Sequence, residues 1–286
     1  SQYPRVELDD GRWMSDTSPM IAWLEQDRPG PPVIPDDPVQ RYISLLVEDY
    51  ADEWLWRPAM YYRWSFAADR YLAGTRLAEE IVRVRGVPMS ARRRWIARRH
   101  ERLFVSGDGV TEANRSHVED GYLNLLDRLE AIFSRRAFML GARPTIADFG
   151  LMGPFWRHFV HDPTPAQLMQ DRAPAVFEWA ARTWNARVSR SGGEPLVDGV
   201  PDDWGPLLRE IGETHLEALA RNAAAFDADQ ARHDLLVQGV LYPGIPTSAY
   251  RPWCLRRLQQ GFRQLPEDAA SEVRNTLEEH GCWEPL

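Results

Sequence analysis

The chain has 286 residues, a formal net charge of −8 and a hydrophobic fraction of 44%, which together describe a globular protein with ample length for a core. Its two cysteines, Cys254 and Cys282, make no disulfide framework, and the absence of lysine excludes both Schiff-base lysine chemistry and a P-loop lysine. No apolar run approaches the roughly 20 residues that span a bilayer, and the N-terminus has no signal-peptide pattern. We therefore expect a cytoplasmic protein with no nucleic-acid partner and no membrane partner, since a negative net charge does not attract polyanions.

The first 38 residues predict a short α/β unit followed by a linker. Residues 3–8 alternate as a strand does, Asp9-Asp10-Gly11 is a hairpin-turn signal, and residues 12–14 form a short return strand. Asp16-Thr17 then opens a helix that carries a proline in its first turn. Residues 28–38 contain five prolines, so they cannot form the interior of a helix and are predicted to be a linker.

The rest of the chain is predicted to be helical, so the fold class is mostly α. Residues 39–190 form a helical domain, and residues 200–286 form a helical extension beyond a Gly- and Ser-rich boundary. Within the extension, residues 235–241 carry strand-forming side chains and residues 242–246 form a turn, which predicts a small hairpin. The predicted helices cover residues 39–61 with a break at Pro58, 63–85, 91–104, 111–133, a stretch beginning at Thr145, 175–188, 203–226, 253–265 and 268–280.

The helix that begins at Thr145 has the clearest start signal in the chain. Thr145 can accept from the backbone N–H three residues on, and Asp148 can reach back to the N–H of Thr145, which is the reciprocal capping box. The run that follows, residues 149–156, is apolar on nearly all sides. Such a helix is typical of the centre of a domain.

These pieces together resemble the glutathione transferase superfamily. In that family a thioredoxin-like domain ends with a strand begun by a cis-proline, a second strand, and a helix that opens with an acidic residue and a Ser or Thr. A helical domain follows, and its central helix begins with a Ser/Thr-x-x-Asp capping box. The strand at Tyr3-Pro4, the pair Asp16-Thr17 and the box from Thr145 to Asp148 occur here in the same order, so the resemblance covers residues 3–188. The tail beyond residue 200 resembles the extended C-terminal region of a bacterial branch of the superfamily.

The resemblance implies that residues 1–27 are a partial thioredoxin-like segment that binds glutathione as a co-substrate. It further implies conjugation or thiol-transfer chemistry on a small apolar electrophile, and a homodimer. The implied glutathione-binding residues are Tyr3, Pro4, Val6, Asp16 and Thr17. The implied residues of the electrophile site, on the first long helix of the helical domain, are Tyr50, Trp54, Arg57 and Tyr61.

Each implied site also has a plain structural interpretation. Pro4 could be an edge-strand proline, and Asp16-Thr17 could be a simple helix cap. The half of the thioredoxin-like domain that carries the family's catalytic Tyr, Ser or Cys has no counterpart in this sequence, so no catalytic residue is assigned. The alternative hypothesis is therefore a non-catalytic binding or assembly protein that uses the helical domain as a scaffold.

Two runs of charged residues also need an interpretation. The carboxylates at positions 48, 49, 52 and 53 form two i, i+4 pairs, which could bind a metal or transfer protons. A solvated or interdomain face, with Arg57 and Arg63 nearby, is the favoured interpretation. The six arginines between Arg92 and Arg102 could bind phosphate or RNA, but a surface paired with acidic neighbours is favoured because the whole chain is acidic.

The remaining histidine and cysteine candidates are predicted to be structural. His158 and His161 are three residues apart, but no further ligand is placed to complete a zinc site. Cys254 follows a tryptophan and is predicted to be a buried packing residue. Cys282 lies near the end of the chain and is predicted to be partly exposed.

Overall fold

The computed structural model describes residues 5–15, 17–27, 30–80, 86–191 and 193–286. Within these ranges the protein is mostly helical, as the sequence predicts, with two small antiparallel hairpins. The hairpins pair β1 (Arg5–Glu7) with β2 (Trp13–Ser15) and β3 (Arg232–Val237) with β4 (Val240–Pro246).

The helices follow one another with mostly short connections. Two segments are π-helices that continue directly from an α-helix, Phe155–Phe159 and Ile211–Leu216. In chain order the helices are α1 (Thr17–Asp27), α2 (Pro38–Glu53), α3 (Trp56–Ser65), α4 (Ala67–Glu80), α5 (Met89–Phe104), α6 (Arg115–Phe133), α7 (Ile146–Pro154), α8 (Pro163–Arg172), α9 (Pro174–Trp184), α10 (Val188–Ser191), α11 (Gly205–Glu210), α12 (Glu217–Asp227), α13 (Arg251–Arg263) and α14 (Glu267–Glu279).

The long helix predicted over residues 39–61 is two helices, α2 and α3. Asp37 caps α2 by accepting from the backbone N–H of Gln40 at 2.8 Å, and Pro38 occupies the first helical position. The break lies at Trp54 and Leu55, ahead of Pro58. Pro58 falls in the first turn of α3, where its missing N–H costs no helical hydrogen bond.

The second hairpin confirms the predicted β-structure but corrects the position of its turn. The turn is at Gln238 and Gly239, whose φ angles are 48° and 75°. Two residues with positive φ match the right-handed twist of a two-residue hairpin. Residues 242–246, predicted to be a turn from their prolines and glycine, lie in β4 instead. A two-stranded sheet tolerates these prolines because one edge of each strand has no partner strand.

One continuous hydrophobic core runs through the described residues. It contains side chains from residues 39–190 and from residues 200–286, including the fully buried Trp64, Trp179 and Trp204. The C-terminal extension is therefore packed into the same core as the helical domain. None of the described helices is both long and apolar enough to cross a membrane.

The capping box predicted at the start of α7 is present and extends further than a cap. The Asp148 carboxylate accepts from the backbone N–H of Thr145 at 2.8 Å, and the Thr145 hydroxyl also donates to it at 3.1 Å. Its other oxygen accepts from the backbone N–H of Met139 and from the Trp179 indole, both at 2.9 Å. Burial raises the pKa of Asp148, and these hydrogen bonds oppose that rise.

Helix α7 packs directly on α2, and Gly150 makes this close approach possible. A Cβ atom at Gly150 would lie 2.7 Å from the Glu48 Cα atom, which is shorter than any normal contact. Because the clash would be with backbone, no side-chain adjustment could relieve it. The contact fixes the middle of α2, where the acidic residues of the chain's first long helix lie.

Candidate functional site

A buried charged cluster lies where α2 meets the second π-helical segment and α13. Asp49 Oδ2 and His215 Nε2 are 2.8 Å apart, and the two side chains are only 3% and 1% exposed. Arg257 of α13 donates from Nη2 to Asp49 Oδ1 at 3.3 Å and to Glu48 Oε2 at 3.0 Å. Ser18 of α1 donates to the other Glu48 oxygen. The cluster therefore joins α1, α2, α13 and the π segment.

His215 owes its position to the π segment. A π-helix adds one residue to a helical turn, is rare, and is found most often at functional sites. Here it lies between α11 and α12, and the Tyr50 ring packs edge-on against the His215 ring with centroids 6.0 Å apart. The histidine is thus held by Asp49 on one side and by an aromatic ring on another.

The charges of the cluster largely compensate one another. Burial raises the pKa of Glu48, while Arg257 and the Ser18 hydroxyl oppose that rise. Two carboxylates share the single Arg257 guanidinium, which is 29% exposed and connects the cluster to solvent. A substitution of Arg257 would therefore remove a hydrogen bond from both Glu48 and Asp49.

Of the favoured interpretation, a solvated or interdomain face with Arg57 and Arg63 nearby, the solvated alternative is wrong for Glu48 and Asp49. Both are buried, because α1, α13 and the π segment cover this side of α2. Arg57 instead pairs with Asp108 at 2.7 Å, and Arg63 pairs with Asp162 at 2.8 Å.

An apolar cleft of about 340 Å³ lies beside the cluster. It is formed between α1, α2 and α13, and Ser18 and Arg257 lie on its wall. Its volume is in the range of small-molecule sites, which are mostly apolar with a few polar groups that orient the ligand. Its main apolar lining residues are Ile21, Ala22, Tyr42, Leu45, Trp253 and Leu258.

The implied glutathione-binding residues are placed only in part. Thr17 begins α1, is exposed, and precedes Ser18 on the cleft wall. Val6 lies on β1 with 44% of its surface exposed and is not part of the cleft lining. Tyr3, Pro4 and Asp16 lie outside the described residues. Neither Thr17 nor Val6 therefore lines the cleft, although Thr17 is next to Ser18, which does.

Three of the four implied electrophile-site residues share a second, much smaller cavity. Tyr50, Trp54 and Arg57 line a space of about 20 Å³ together with Tyr242. That volume has room for about one water molecule and not for an apolar electrophile. Tyr61 lies apart from them, and its hydroxyl donates to Glu119 at 2.5 Å.

Arg57 is stacked within this small cavity. Its guanidinium carbon lies 4.7 Å from the Trp54 ring centroid and 4.5 Å from the Tyr242 ring centroid, so it sits between two aromatic rings. Neither Tyr50 Oη nor Arg57 Nη1 has a hydrogen-bond partner among the described residues. This cavity is therefore a small gap in the core that contains polar side chains.

Of the other histidine and cysteine candidates, His158, Cys254 and Cys282 are buried, and His161 is exposed. Burial and the nearby Arg63 and Arg157 lower the pKa of His158 to about 3, so it stays neutral near pH 7. Burial raises the pKa of Cys254, which keeps it a thiol. Cys282 is fully buried, which corrects the prediction of partial exposure, and burial raises its pKa to about 12. The described part of the chain contains no group of three or more His, Cys, Asp or Glu residues placed to hold a metal ion.

Comparison of the chain with family models, with curated proteins and with solved structures gave no match. The cleft and the cluster are therefore the features from which we infer function.

Proposed function

We propose that this chain is a glutathione-transferase-like protein whose ligand binds in the cleft between α1, α2 and α13. The observation that carries the proposal is the position of Arg257, which lines an apolar cleft while two buried carboxylates hold its Nη2 atom. A ligand with an apolar body and a carboxylate end matches this surface. Glutathione joined to an apolar group has that chemistry.

Arg257 is suited to a carboxylate because its geometry is fixed before the ligand arrives. Its Nη1 and Nε atoms make no hydrogen bond to the described residues, so they are available to a ligand. Because Nη1 and Nε lie on either side of the Cδ atom, each can donate only a single hydrogen bond to a carboxylate, and prior positioning of the guanidinium reduces the entropy lost on binding.

The start of α1 supplies a second polar region at the same cleft. Thr17 offers a hydroxyl, and the first turn of an α-helix has N–H groups without intrahelical partners. Both favour a negatively charged group. The resemblance assigns this position to the γ-glutamyl end of glutathione, which also carries a carboxylate.

The cleft residues supply binding and not thiol activation. Tyr42 lines the cleft and donates its hydroxyl to the Leu258 carbonyl oxygen at 3.3 Å. Burial raises the pKa of Tyr42, so it stays protonated and cannot accept a proton from a thiol. In a transferase reaction, the glutathione thiolate would attack the electrophile and displace its leaving group or add to it. The group that removes the thiol proton is not among the residues of this cleft.

A second candidate function is a non-catalytic binding or assembly protein. The observation that favours it is the engagement of the cleft's polar side chains in structural hydrogen bonds, at Ser18, Tyr42 and Arg257. The resemblance also leads us to propose a cytoplasmic homodimer of a bacterium. Analytical ultracentrifugation of the full chain measures that stoichiometry directly.

Calorimetry with an S-alkyl glutathione, and with glutathione itself, tests the proposal. Gly261→Leu introduces a side chain into the cleft, and Arg256→Leu introduces the same side chain on an exposed part of α13. We expect the first variant to weaken binding at least about tenfold, or 1.4 kcal/mol, and the second to leave it unchanged. No binding by the native chain at millimolar ligand would overturn the glutathione assignment. Binding without conjugation of a chromogenic aryl halide would favour the non-catalytic function.

A further inference from the structure

Helix α5 carries a row of arginines along one exposed face. Arg94, Arg98 and Arg102 follow one another at i, i+4 and i+8, and all three are exposed. At a rise of 1.5 Å per residue, neighbouring members of the row are about 6 Å apart along the helix axis. Arg99 is also exposed on this side of the helix.

The acidic pairing expected for these arginines is not observed. Arg94, Arg98, Arg99 and Arg102 form no ion pair with any described residue, whereas arginines elsewhere, such as Arg57, pair with carboxylates at 2.7 Å. The chain has a net charge of −8, so this face is a local exception to its overall charge. Because salt screens charges that are far apart, the local charge of this face affects binding there more than the net charge of the chain does.

Two exposed aromatic side chains lie among the arginines. Trp95 of α5 is 57% exposed, and the Arg99 guanidinium lies 6.0 Å from its ring centroid. Tyr71 of α4 is 58% exposed, and the Arg93 guanidinium lies 4.1 Å from its ring. Each ring thus offers an accessible face beside an arginine.

The arginine row separates two open grooves of about 570 Å³ each. One groove contains Trp95 and Arg102, and the other contains Tyr71 and Arg70 of α4. Arg98 lines both grooves, as does Arg94. A flexible chain that follows either groove would therefore meet several arginines and one aromatic ring, and in the second groove also the acidic Glu101.

We propose that this arginine face of α4 and α5 binds single-stranded nucleic acid. Arginine donates two hydrogen bonds to one phosphate, and aromatic rings stack on unpaired bases regardless of sequence. A positively charged groove combined with exposed aromatic rings is the usual construction of sites that bind single strands without sequence preference. Charge complementarity and the exposed rings thus point to the same partner.

A lipid surface fits this face less well. A helix that binds a membrane presents a continuous apolar face to the lipid. The apolar face of α5 contains Ile96 and Ala97, and both are buried in the protein. The large exposed apolar side chains of α5, Trp95 and Leu103, are separated by arginines.

Fluorescence anisotropy with a labelled single-stranded RNA of about 16 nucleotides tests the proposal on the full chain. Arg98→Glu combined with Arg102→Glu should weaken binding at least about tenfold and reduce the slope of log K against log salt by about 1.4, as expected for two lost phosphate contacts. Trp95→Ala should weaken binding about fivefold or more through lost stacking. Circular dichroism and thermal melting establish that each variant is folded.

Arg256→Glu combined with Arg263→Glu is the matched control. Both residues are exposed on α13, and the change in net charge is the same. We expect its affinity for RNA to stay within about threefold of the native value, since these residues lie outside the face. Equal weakening by both double variants would overturn the proposal, as would no binding of native protein at tens of micromolar. Co-sedimentation with phosphatidylserine vesicles that depends on Arg98 and Arg102, without RNA binding, would overturn it in favour of a lipid surface.

Discussion

Two buried carboxylate regions lie on helices that pack against each other, and their partners differ in kind. Asp148 at the start of α7 accepts hydrogen bonds from neutral donors, the backbone N–H groups of Met139 and Thr145 and the Trp179 indole. Glu48 and Asp49 on α2 are held mainly by ionisable partners, Arg257 and His215. Both regions are out of water, yet only the second includes a group that reaches a cleft.

This difference predicts which region affects stability alone and which also affects ligand binding. A carboxylate surrounded by neutral donors has one arrangement, and losing it leaves several buried donors unsatisfied. A carboxylate held by a partly exposed arginine can change its partners when a ligand competes for that arginine. We therefore expect changes at Asp148 to affect folding alone, and changes at Asp49 to affect both folding and ligand binding.

The largest effect is expected for Asp148→Ala. The substitution leaves four buried donors without this acceptor, so the free energy of unfolding should fall by about 4 kcal/mol. This exceeds the roughly 1 kcal/mol lost when a simple helix cap is removed. Urea denaturation measures the loss, and the affinity of the folded fraction for cleft ligands should stay unchanged. A loss below about 1 kcal/mol would show that the carboxylate serves only as a cap.

A loss of about 3 kcal/mol is expected for Asp49→Ala, because it leaves His215 buried without its carboxylate and Arg257 with one acceptor instead of two. Unlike Asp148→Ala, it should also weaken ligand binding in the cleft, since Arg257 is no longer held in place. Denaturation and calorimetry on one preparation give both numbers. Unchanged affinity would show that the cluster and the cleft are independent.

The packing between the two regions is tested by Gly150→Ala, which should destabilise the protein by about 2 kcal/mol through the contact with the Glu48 backbone. Gly153→Ala on the same helix is the control. A Cβ atom at Gly153 would lie 3.5 Å from the Asp52 side chain, an ordinary contact, so this change should stabilise α7 by up to about 1 kcal/mol. Thermal melting distinguishes the expected loss of stability in Gly150→Ala from the expected gain in Gly153→Ala. Equal shifts would mean that α7 does not approach α2 as closely at Gly150.

The smallest effect is expected in the pH dependence of stability. Burial raises the pKa of Glu48 in the folded state, so folding favours its protonated form. The stability it contributes is therefore present in acid and is lost as the pH rises from the ordinary pKa of 4.5 through the raised pKa. Relative to Glu48→Gln, the native protein should lose about 1.4 kcal/mol per unit of pKa difference over that window.

The buried His158 adds the opposite slope, since its folded pKa is lowered to about 3 and stability is lost as the pH falls from 6.5 towards that value. That contribution is common to native protein and to the Glu48→Gln variant, so it cancels in their difference. Urea denaturation of both proteins across this pH range gives the comparison. A difference that does not vary with pH would contradict the shifted pKa of Glu48.

The sequence predicts features whose partners are near one another in the chain. The capping box joins residues three apart, and the first hairpin joins residues at most ten apart. The cluster could not be found in this way, because 166 residues separate His215 from Asp49 and 209 separate Arg257 from Glu48. A linear pattern contains no information on which distant helix faces which.

One local signal did exist at the candidate site. Glu48 and Asp49 are consecutive and lie between the apolar Val47 and Tyr50, so a helix that buries both neighbours must bury at least part of this pair. The π segment gives no comparable signal, and residues 203–226 were therefore expected to form one helix. The sequence does not indicate the turn at Gln238 and Gly239, because the prolines and glycine of residues 242–246 predict a turn more strongly. In the folded hairpin those residues lie in β4.

The π segment also sets the direction in which the side chains of α12 point around the helix axis. Each residue of an α-helix turns the chain by about 100°, so one extra residue between α11 and α12 rotates the second helix against the first by that angle. Leu207 and Leu208 before the segment and Leu219 after it all reach the same core. Deleting Gly212 would restore an unbroken α-helical spiral and carry Leu219 out of the core. A one-residue deletion there should therefore prevent folding. Gly212 also leaves no room for a side chain, because a Cβ atom would lie 2.5 Å from the Gly281 carbonyl oxygen.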